Sequence, residues 1–337
     1  MPGPEEDPDA LRALALRALA HWSLEGAALS LHEQRENAVF RVETSRGEAY
    51  ALRVHREGYH DLSELESEHD WTSALARAGL PVPQAIPTRE GSAYATVAFP
   101  DSEITRHVGL VKWLPGVPLS RSLAESSGPE DVASCFDTLG RLIARLHDAT
   151  SSWAPPPGFR RHAWDAQGLM GEKPFWGRFW EIRAATSAQR ARLLAIRNDL
   201  LEVLSGLDRS PEVYGMIHAD LNADNVLAHD GRLSIIDFDD AGFGWFVFDL
   251  AVALYDRMDA YHPAKPHFDP ARDALLDGYR SVRPLSAEQT DSLRPLLLAR
   301  ALSILRWAED RPESGYQAMI PLFLEIAFER AAELGLG

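Results

Sequence analysis

Apolar and polar positions alternate with two different textures along the chain. Near the start, Leu11, Leu14, Leu16 and Leu19 recur at helical spacing behind Pro8, whose fixed φ suits the first turn of a helix. The stretch "AVFRVETSRGEAYALRVHR" then reads as two strands around a turn at Ser45–Gly47. "DLSELESEHDWTSALARAGL" returns to helical periodicity and is closed by Gly79 and "PVP". "YATVAF" and "HVGLVKWL" predict two further strands of the same small sheet. From "LPGVPLS" onward the texture changes. "DVASCFDTLGRLIARLHDA" sets Val132, Phe136, Leu139, Ile143 and Leu146 on one helical face, and the remainder of the chain is mostly helical. The pattern predicts an α+β chain: residues 1–10 a flexible tail, 11–113 a small sheet-plus-helix lobe, and 114–337 a larger, mostly helical lobe.

Composition narrows the class without naming a chemistry. The 337 residues are 45% apolar and 25% charged, as in globular proteins with real cores. Cys135 is the lone cysteine, which excludes an internal disulfide framework and fits a reducing, cytoplasmic setting. The apolar run Ala241 to Tyr255 is too short for a membrane span and is interrupted by Asp249. The acidic, Pro-rich start "MPGPEEDPDA" lacks the character of a signal or transit peptide. A formal charge of −16 argues against nucleic acid or an anionic membrane as partner. Oligomeric state is not written in the sequence.

One stretch departs from this ordinary background. "IHADLNADNVLAHDGRLSIIDFDD", Ile217 to Asp240, holds six aspartates, no glutamate, no lysine and one arginine. "NVLA" and "LSIIDF" flank "HDGR", where Asp-Gly signals a tight hairpin. Such a hairpin returns Asn225 to the side of Asp237, with Asp220 on the loop just ahead. Two carboxylates and an amide oxygen suit a hard divalent cation. A calcium-binding loop is excluded, because its obligatory glycine position is Asn225 and its closing glutamate position is Gly231. A solvated acidic turn is the ordinary alternative. The spacing His218-x-Asp220-x-x-x-x-Asn225, followed by an apolar strand that ends in Asp237, instead fits the template for phosphoryl transfer. On that template Asp220 takes a hydroxyl proton, while Asn225 and Asp237 hold Mg²⁺ against the phosphates of ATP.

"IHADLNADNVL", "IIDFDDAGFGW" and "FDLAVAL", with weaker support from "YALRVHR" and "VKWLPG", resemble the aminoglycoside phosphotransferase family of small-molecule kinases. The resembling branch includes homoserine kinase type II, choline kinases and the stress response kinase. The resemblance covers most of the chain and implies a two-lobed, protein-kinase-like fold with ATP and Mg²⁺. It makes Asp220 the base and Asn225 and Asp237 the metal ligands, with His218 and Asp249 as structural supports of the catalytic loop. Leu227 and Ile236 would floor the adenine, though as residues they read equally well as β-core. Trp113 would lie in the hinge around Lys112 to Leu114. Asp239, with Asp240, would serve a second metal or the acceptor, or be a solvated carboxylate. Arg53 stands where the family usually has lysine, and Glu68 is its expected partner, with Glu64 and Glu66 as the neighbouring alternatives. The loop "LHEQRENAVFRV" has no glycine, so Asn37 and backbone groups would cover the phosphates.

The acceptor is less legible. A small molecule is favoured over a serine/threonine protein substrate of the stress response kinase type. Ala219 precedes Asp220 where an activation-loop-binding arginine would stand, and twelve residues separate Asp237 from Asp249. Trp153, Trp164, Trp176 and Trp180, with Trp245 and Phe246, suit a caged ammonium, a stacked sugar or simply a core. Arg160, Arg161 and Arg178 would suit a carboxylate-bearing acceptor. Aminoglycoside, choline-like and homoserine-like acceptors therefore all stay open. A catalytically silent nucleotide-binding module is the remaining alternative, supported by Arg53 alone.

Overall fold

The structure, a computed structural model, describes residues 7–34, 37–125, 128–259 and 268–337. It divides into two compact units: one runs to Pro115 and includes Pro155–Arg160, and the other comprises Gly116–Ala154 and Arg161–Gly337.

The first unit contains α1 (Pro8–Ala18), β1 (Ala28–Gln34), β2 (Ala38–Glu43), β3 (Ala49–Val54), α2 (Leu62–Arg77), β4 (Tyr94–Ala98) and β5 (Thr105–Lys112). The strands form one antiparallel sheet in the order β1-β2-β3-β5-β4. Leu11, Leu14, Ala15 and Ala18 of α1 join Phe40, Val42, Leu52, Val54, Val108 and Leu110 of the sheet in one buried cluster. Side chains alternate along a strand, so Arg53, between Leu52 and Val54, faces away from that cluster. Asp61 caps α2 reciprocally: its Oδ1 accepts the Glu64 N–H at 2.9 Å, and Glu64 Oε2 accepts the Asp61 N–H at 3.0 Å. Gly79, at φ +81°, ends that helix as expected.

Two expectations change here. Pro8 to Ala10 are the first turn of α1, with Asp7 as its cap, and not tail; the rest of the tail expectation lies outside the described residues. The loop expected over "LHEQRENAVFRV" is largely strand, because Leu31–Gln34 belong to β1, where Leu31, Glu33 and Gln34 pair with β2 and His32 is bulged out of register. Strand β1 escapes pattern reading because Leu29 alone among its residues is buried, so no alternation marks it. Within the expected loop, Arg35 and Glu36 lie outside the described residues.

The second unit begins with β6 (Val117–Pro118), α3 (Leu119–Ala124), α4 (Pro129–Ser151), β7 (Ala163–Trp164), α5 (Ala166–Met170) and α6 (Ser187–Ser205). Next come β8 (Tyr214–Ile217), β9 (Val226–His229), β10 (Arg232–Ile235), β11 (Gly242–Trp245) and α7 (Phe246–Asp259). The unit closes with α8 (Phe268–Arg280), α9 (Ala287–Asp291), α10 (Leu293–Asp310) and α11 (Ile320–Glu333). Two small sheets, β10-β9-β6 and β7-β11-β8, sit among the helices. Helices α4 and α8 cross with no side chain between them at two points. A Cβ on Gly140 would fall 2.1 Å from the Leu275 carbonyl oxygen, and one on Gly278 would fall 2.1 Å from that of Asp137. No helix among the described residues is long and apolar enough to cross a membrane.

Candidate active site

The hairpin forms as its sequence demands. Asp230 (φ +48°) and Gly231 (φ +72°) take the two left-handed positions that a two-residue turn requires. β9 and β10 then pair with Val226 opposite Ile235. One step further, the Ile236 N–H donates to the Asn225 carbonyl at 2.9 Å, so Asn225 and Asp237 leave the hairpin side by side. Asn225 Nδ2 donates to the Asp220 carbonyl and to Asp220 Oδ2, both at 2.8 Å. Those bonds orient the amide and leave its oxygen as the group available to a cation. Asp237 is exposed and adopts φ +62°, a conformation Asp tolerates better than most residues. One amide oxygen and one carboxylate are the hard donors a divalent cation shared with phosphates needs. Among the described residues, no group of three His, Cys, Asp or Glu forms a self-sufficient metal cage.

The catalytic loop hangs on a buried polar core. Asp249, in the first turn of α7, accepts the N–H of His218 at 3.1 Å and that of Ala219 at 2.7 Å. His147 of α4 approaches Asp249 Oδ2 through Nε2 at 3.0 Å and the Tyr279 hydroxyl through Nδ1 at 2.9 Å. The arrangement fits a neutral imidazole with its proton on Nε2, and burial lowers the His147 pKa against the pull of Asp249. His218 uses the same tautomer. Its Nε2 donates to the Ile236 carbonyl at 2.9 Å and its Nδ1 accepts the Asp220 N–H at 3.3 Å, bracing the base loop against the exit of β10. Burial lowers its pKa as well. Ala219 sits at φ +63°, a strained position for a non-glycine residue that the two bonds to Asp249 hold in place.

Asp220 lies at the centre. Its pKa is pushed up to about 6, chiefly by burial, with Arg300 pulling against the rise and Asp237 adding to it. Arg300 Nη2 donates to Oδ1 at 2.6 Å, and Asn222 Nδ2 donates to Oδ2 at 3.0 Å. Neither Arg300 nor His147 was indicated by a motif. The available signal for Arg300 was a single charge inside "LLLARALSIL", since a charge on a buried helix face needs a partner.

The segment after Asp237 is clamped from behind. Arg161 Nε donates to the Ala241 carbonyl at 2.5 Å, and its Nη2 donates to the carbonyls of Phe238 and Asp239. Trp164 Nε1 donates to the Asp240 carbonyl at 2.7 Å, and Trp176 Nε1 donates to Asp240 Oδ1 at 3.2 Å. Asp239 and Asp240 are both buried, so the solvated alternative for them is wrong. The arginines expected to meet a carboxylate are engaged elsewhere. Arg161 holds this segment, Arg178 pairs with Glu181 at 3.0 Å, and Arg160 lies 3.7 Å from Asp61 in the first unit. Trp164 and Trp245 are core, and Phe246 stacks on His147 at 4.5 Å.

In the first unit, Arg53 Nη1 lies 3.7 Å from Glu68 Oε1, both largely buried. Glu64 is used by the α2 cap and Glu66 is exposed, so Glu68 is the partner. Asn37 Oδ1 accepts the Arg56 N–H at 2.9 Å, which engages the side chain expected to cover the phosphates. The Trp113 N–H donates to the Ala49 carbonyl at 3.0 Å, and its ring lies under Arg41. In the second unit, Leu227 on β9 is half-buried between β10 and β6, and Ile236 is half-buried with both its backbone groups bonded.

Comparison with known proteins fits this geometry. The sequence profile described as the phosphotransferase enzyme family matches residues 28–285. An amicoumacin kinase of Bacillus subtilis is 26% identical over 224 residues, 66% of this chain and 60% of that protein, so the matched stretch spans less than two thirds of that relative. A homoserine kinase of Xanthobacter autotrophicus is 31% identical over 297 residues, 83% of this chain and 80% of its own. The solved structure of a microcompartment-associated aminopropanol kinase superposes with a TM-score of 0.77 at 32% identity, covering 94% of each chain. The chain belongs to the phosphotransferase enzyme family and is a phosphotransferase of the protein-kinase-like α+β fold.

Proposed function

We propose that this phosphotransferase moves the γ-phosphoryl group of ATP, held with Mg²⁺, to a hydroxyl group of a small molecule. The observation that carries the reading is Asp220. Its carboxylate is fixed by Asn225, Asn222 and Arg300, braced through His218, and set beside the candidate cation ligands Asn225 and Asp237. A carboxylate with a pKa near 6 is ionised at neutral pH yet more basic than an ordinary aspartate, which suits a group that must take a hydroxyl proton.

In this reading Asp220 orients the acceptor hydroxyl toward the γ-phosphorus and accepts its proton as the new O–P bond forms and the bond from that phosphorus to the bridging oxygen breaks, releasing ADP. Asn225 and Asp237 hold the cation, with Asp239 as a further acidic contact for a second ion or the acceptor. Mg²⁺ bound there supplies neutralisation of the phosphate charge. Residues 11–113 form the nucleotide-binding lobe, where Arg53, oriented by Glu68, grips phosphate and Trp113 marks the hinge. Residues 114–337 form the catalytic and acceptor lobe, with Leu227 and Ile236 as the apolar floor for adenine. The relatives named for amicoumacin, homoserine and aminopropanol all support a small acceptor. The short chain between Asp237 and Asp249 and the alanine before Asp220 speak against a protein substrate.

The test is ADP release with Mg²⁺ and ATP against aminoglycosides, choline, amino alcohols, hydroxy amino acids and a generic protein, with Asp220→Asn in parallel. Acceptor-dependent release that the variant loses is the expected result. Release that is unchanged in Asp220→Asn overturns the assignment of the base.

A further inference from the structure

Arg300 is 4% exposed and sits on α10 among Leu296, Leu298, Ala299, Ala301 and Leu302, all buried. Its Nη2 is on Asp220, but Nε and Nη1 are also buried and have no hydrogen-bond partner among the described residues. The guanidinium carbon lies 4.6 Å from the centre of the Trp176 ring and 6.0 Å from that of Tyr255. Those faces offset part of the buried charge, yet a ring under the guanidinium plane accepts little from N–H groups that point along the plane. Tuning the base needs a single donor. A desolvated five-donor fork with two nitrogens unused is more than that role requires.

Building on the phosphotransfer reading, we infer that Arg300 is the acceptor-recognition residue, docking a carboxylate on a short hydroxylated acceptor. Nη1 and Nη2 share the end edge of the guanidinium. A carboxylate on Nη1 therefore lies next to Asp220, the carboxylate that takes the hydroxyl proton in that reading, so hydroxyl and carboxylate stand only a few bonds apart. Without a cation at this point, Asp220, Asp237, Asp239 and Asp240 would repel such an acceptor. Arg160, Arg161 and Arg178 do not supply it, because their contacts lie elsewhere. Trp176, fixed by Asp240, keeps the guanidinium plane in place from behind. The same contact ties recognition to catalysis. Nη2 stays on Asp220 while Nη1 takes the acceptor carboxylate, so one guanidinium sets the base and the acceptor side by side.

The experiment uses two acceptor pairs, each differing by one carboxylate: L-serine with ethanolamine, and L-homoserine with 3-amino-1-propanol. Acceptor-dependent ADP release by the full-length protein, Arg300→Lys and Arg300→Gln is measured, with thermal melts and Mg²⁺–ATP binding as controls for folding. The expected result is a kcat/KM at least tenfold higher for a carboxylate-bearing member in the wild type. Arg300→Gln erases that preference mainly through KM, and Arg300→Lys keeps part of it. Equal or reversed preference in the wild type, or a preference that survives in Arg300→Gln, overturns the inference. If no acceptor gives ADP, calorimetric titration of the same probes with AMP-PNP and Mg²⁺ present decides it. Carboxylate-dependent binding lost in Arg300→Gln supports the inference, and its absence overturns it. Failure of phosphotransfer itself is seen separately, as no Mg²⁺–ATP binding and no ADP release.

Discussion

Asp249 and His147 meet at 3.0 Å, both wholly buried, beneath the loop that carries the base. Asp249 also holds the N–H groups of His218 and Ala219, so one carboxylate fixes a strained backbone and a histidine together. Asp249→Ala leaves three buried donors without their acceptor. It should lower stability by several kcal/mol, since each buried donor left unsatisfied costs about 1–3 kcal/mol. Asp249→Asn, which keeps an acceptor oxygen, should cost less. Urea unfolding of the two variants against the wild type measures the difference.

Stability should also depend on pH through His147. Burial lowers its pKa in the folded chain, so the unfolded chain binds the proton more readily. Its contribution is complete above the ordinary histidine pKa and is lost as pH falls below it. Melting temperatures taken from pH 7.5 down to pH 5 should decline, and His147→Asn should flatten the decline. An equal slope in the variant would assign it to other groups.

Removing the base should strike turnover rather than nucleotide binding. Asp220→Asn keeps the shape and the contact with Arg300 but cannot accept a proton. A loss on the order of 10²–10⁴ in kcat is expected for general-base removal. ATP affinity by fluorescence or calorimetry should change little.

Asp237→Asn tests the metal assignment with the backbone preserved, since Asn tolerates the left-handed conformation that Asp237 adopts. The enhancement of nucleotide affinity by Mg²⁺ should disappear. Titration of ATP with and without Mg²⁺ is the measurement, and an undiminished enhancement would remove Asp237 from the ligand set.

Arg53→Met should raise the KM for ATP on the order of tenfold, the effect of losing about 1.4 kcal/mol of binding. Glu68→Gln should move it in the same direction by less, because the 3.7 Å pair positions the arginine without a tight bond. Steady-state kinetics with ATP varied at fixed acceptor separates the two.

The candidate site was legible where spacing alone dictates geometry. The Asp-Gly turn, the return of Asn225 beside Asp237, and the support from Asp249 come from local chain rules and a known template. The sheet of the first unit was legible for β2 to β5, whose apolar faces are buried, and illegible for β1, which is almost wholly exposed. Arg300 and His147 were missed because they reach the site from helices 80 residues after Asp220 and 102 before Asp249, and no local pattern encodes such meetings. The arginines of the tryptophan-rich insert misled for a related reason. Their charge suggested a ligand, while backbone carbonyls and neighbouring carboxylates had already engaged them.

The crossing of α4 and α8 gives this chain two positions where one added methyl group acts at a distance. Gly140 stands two helical turns before His147, and Gly278 is next to Tyr279. A methyl at either glycine must wedge the helices apart, because backbone already occupies the space. The wedge would pull at the hydrogen bond from Tyr279 to His147, then at Asp249, and so at the loop holding Asp220. Sequence drift in this enzyme is therefore constrained at sites that touch neither nucleotide nor acceptor, and comparisons restricted to the lining of the active centre would overlook them.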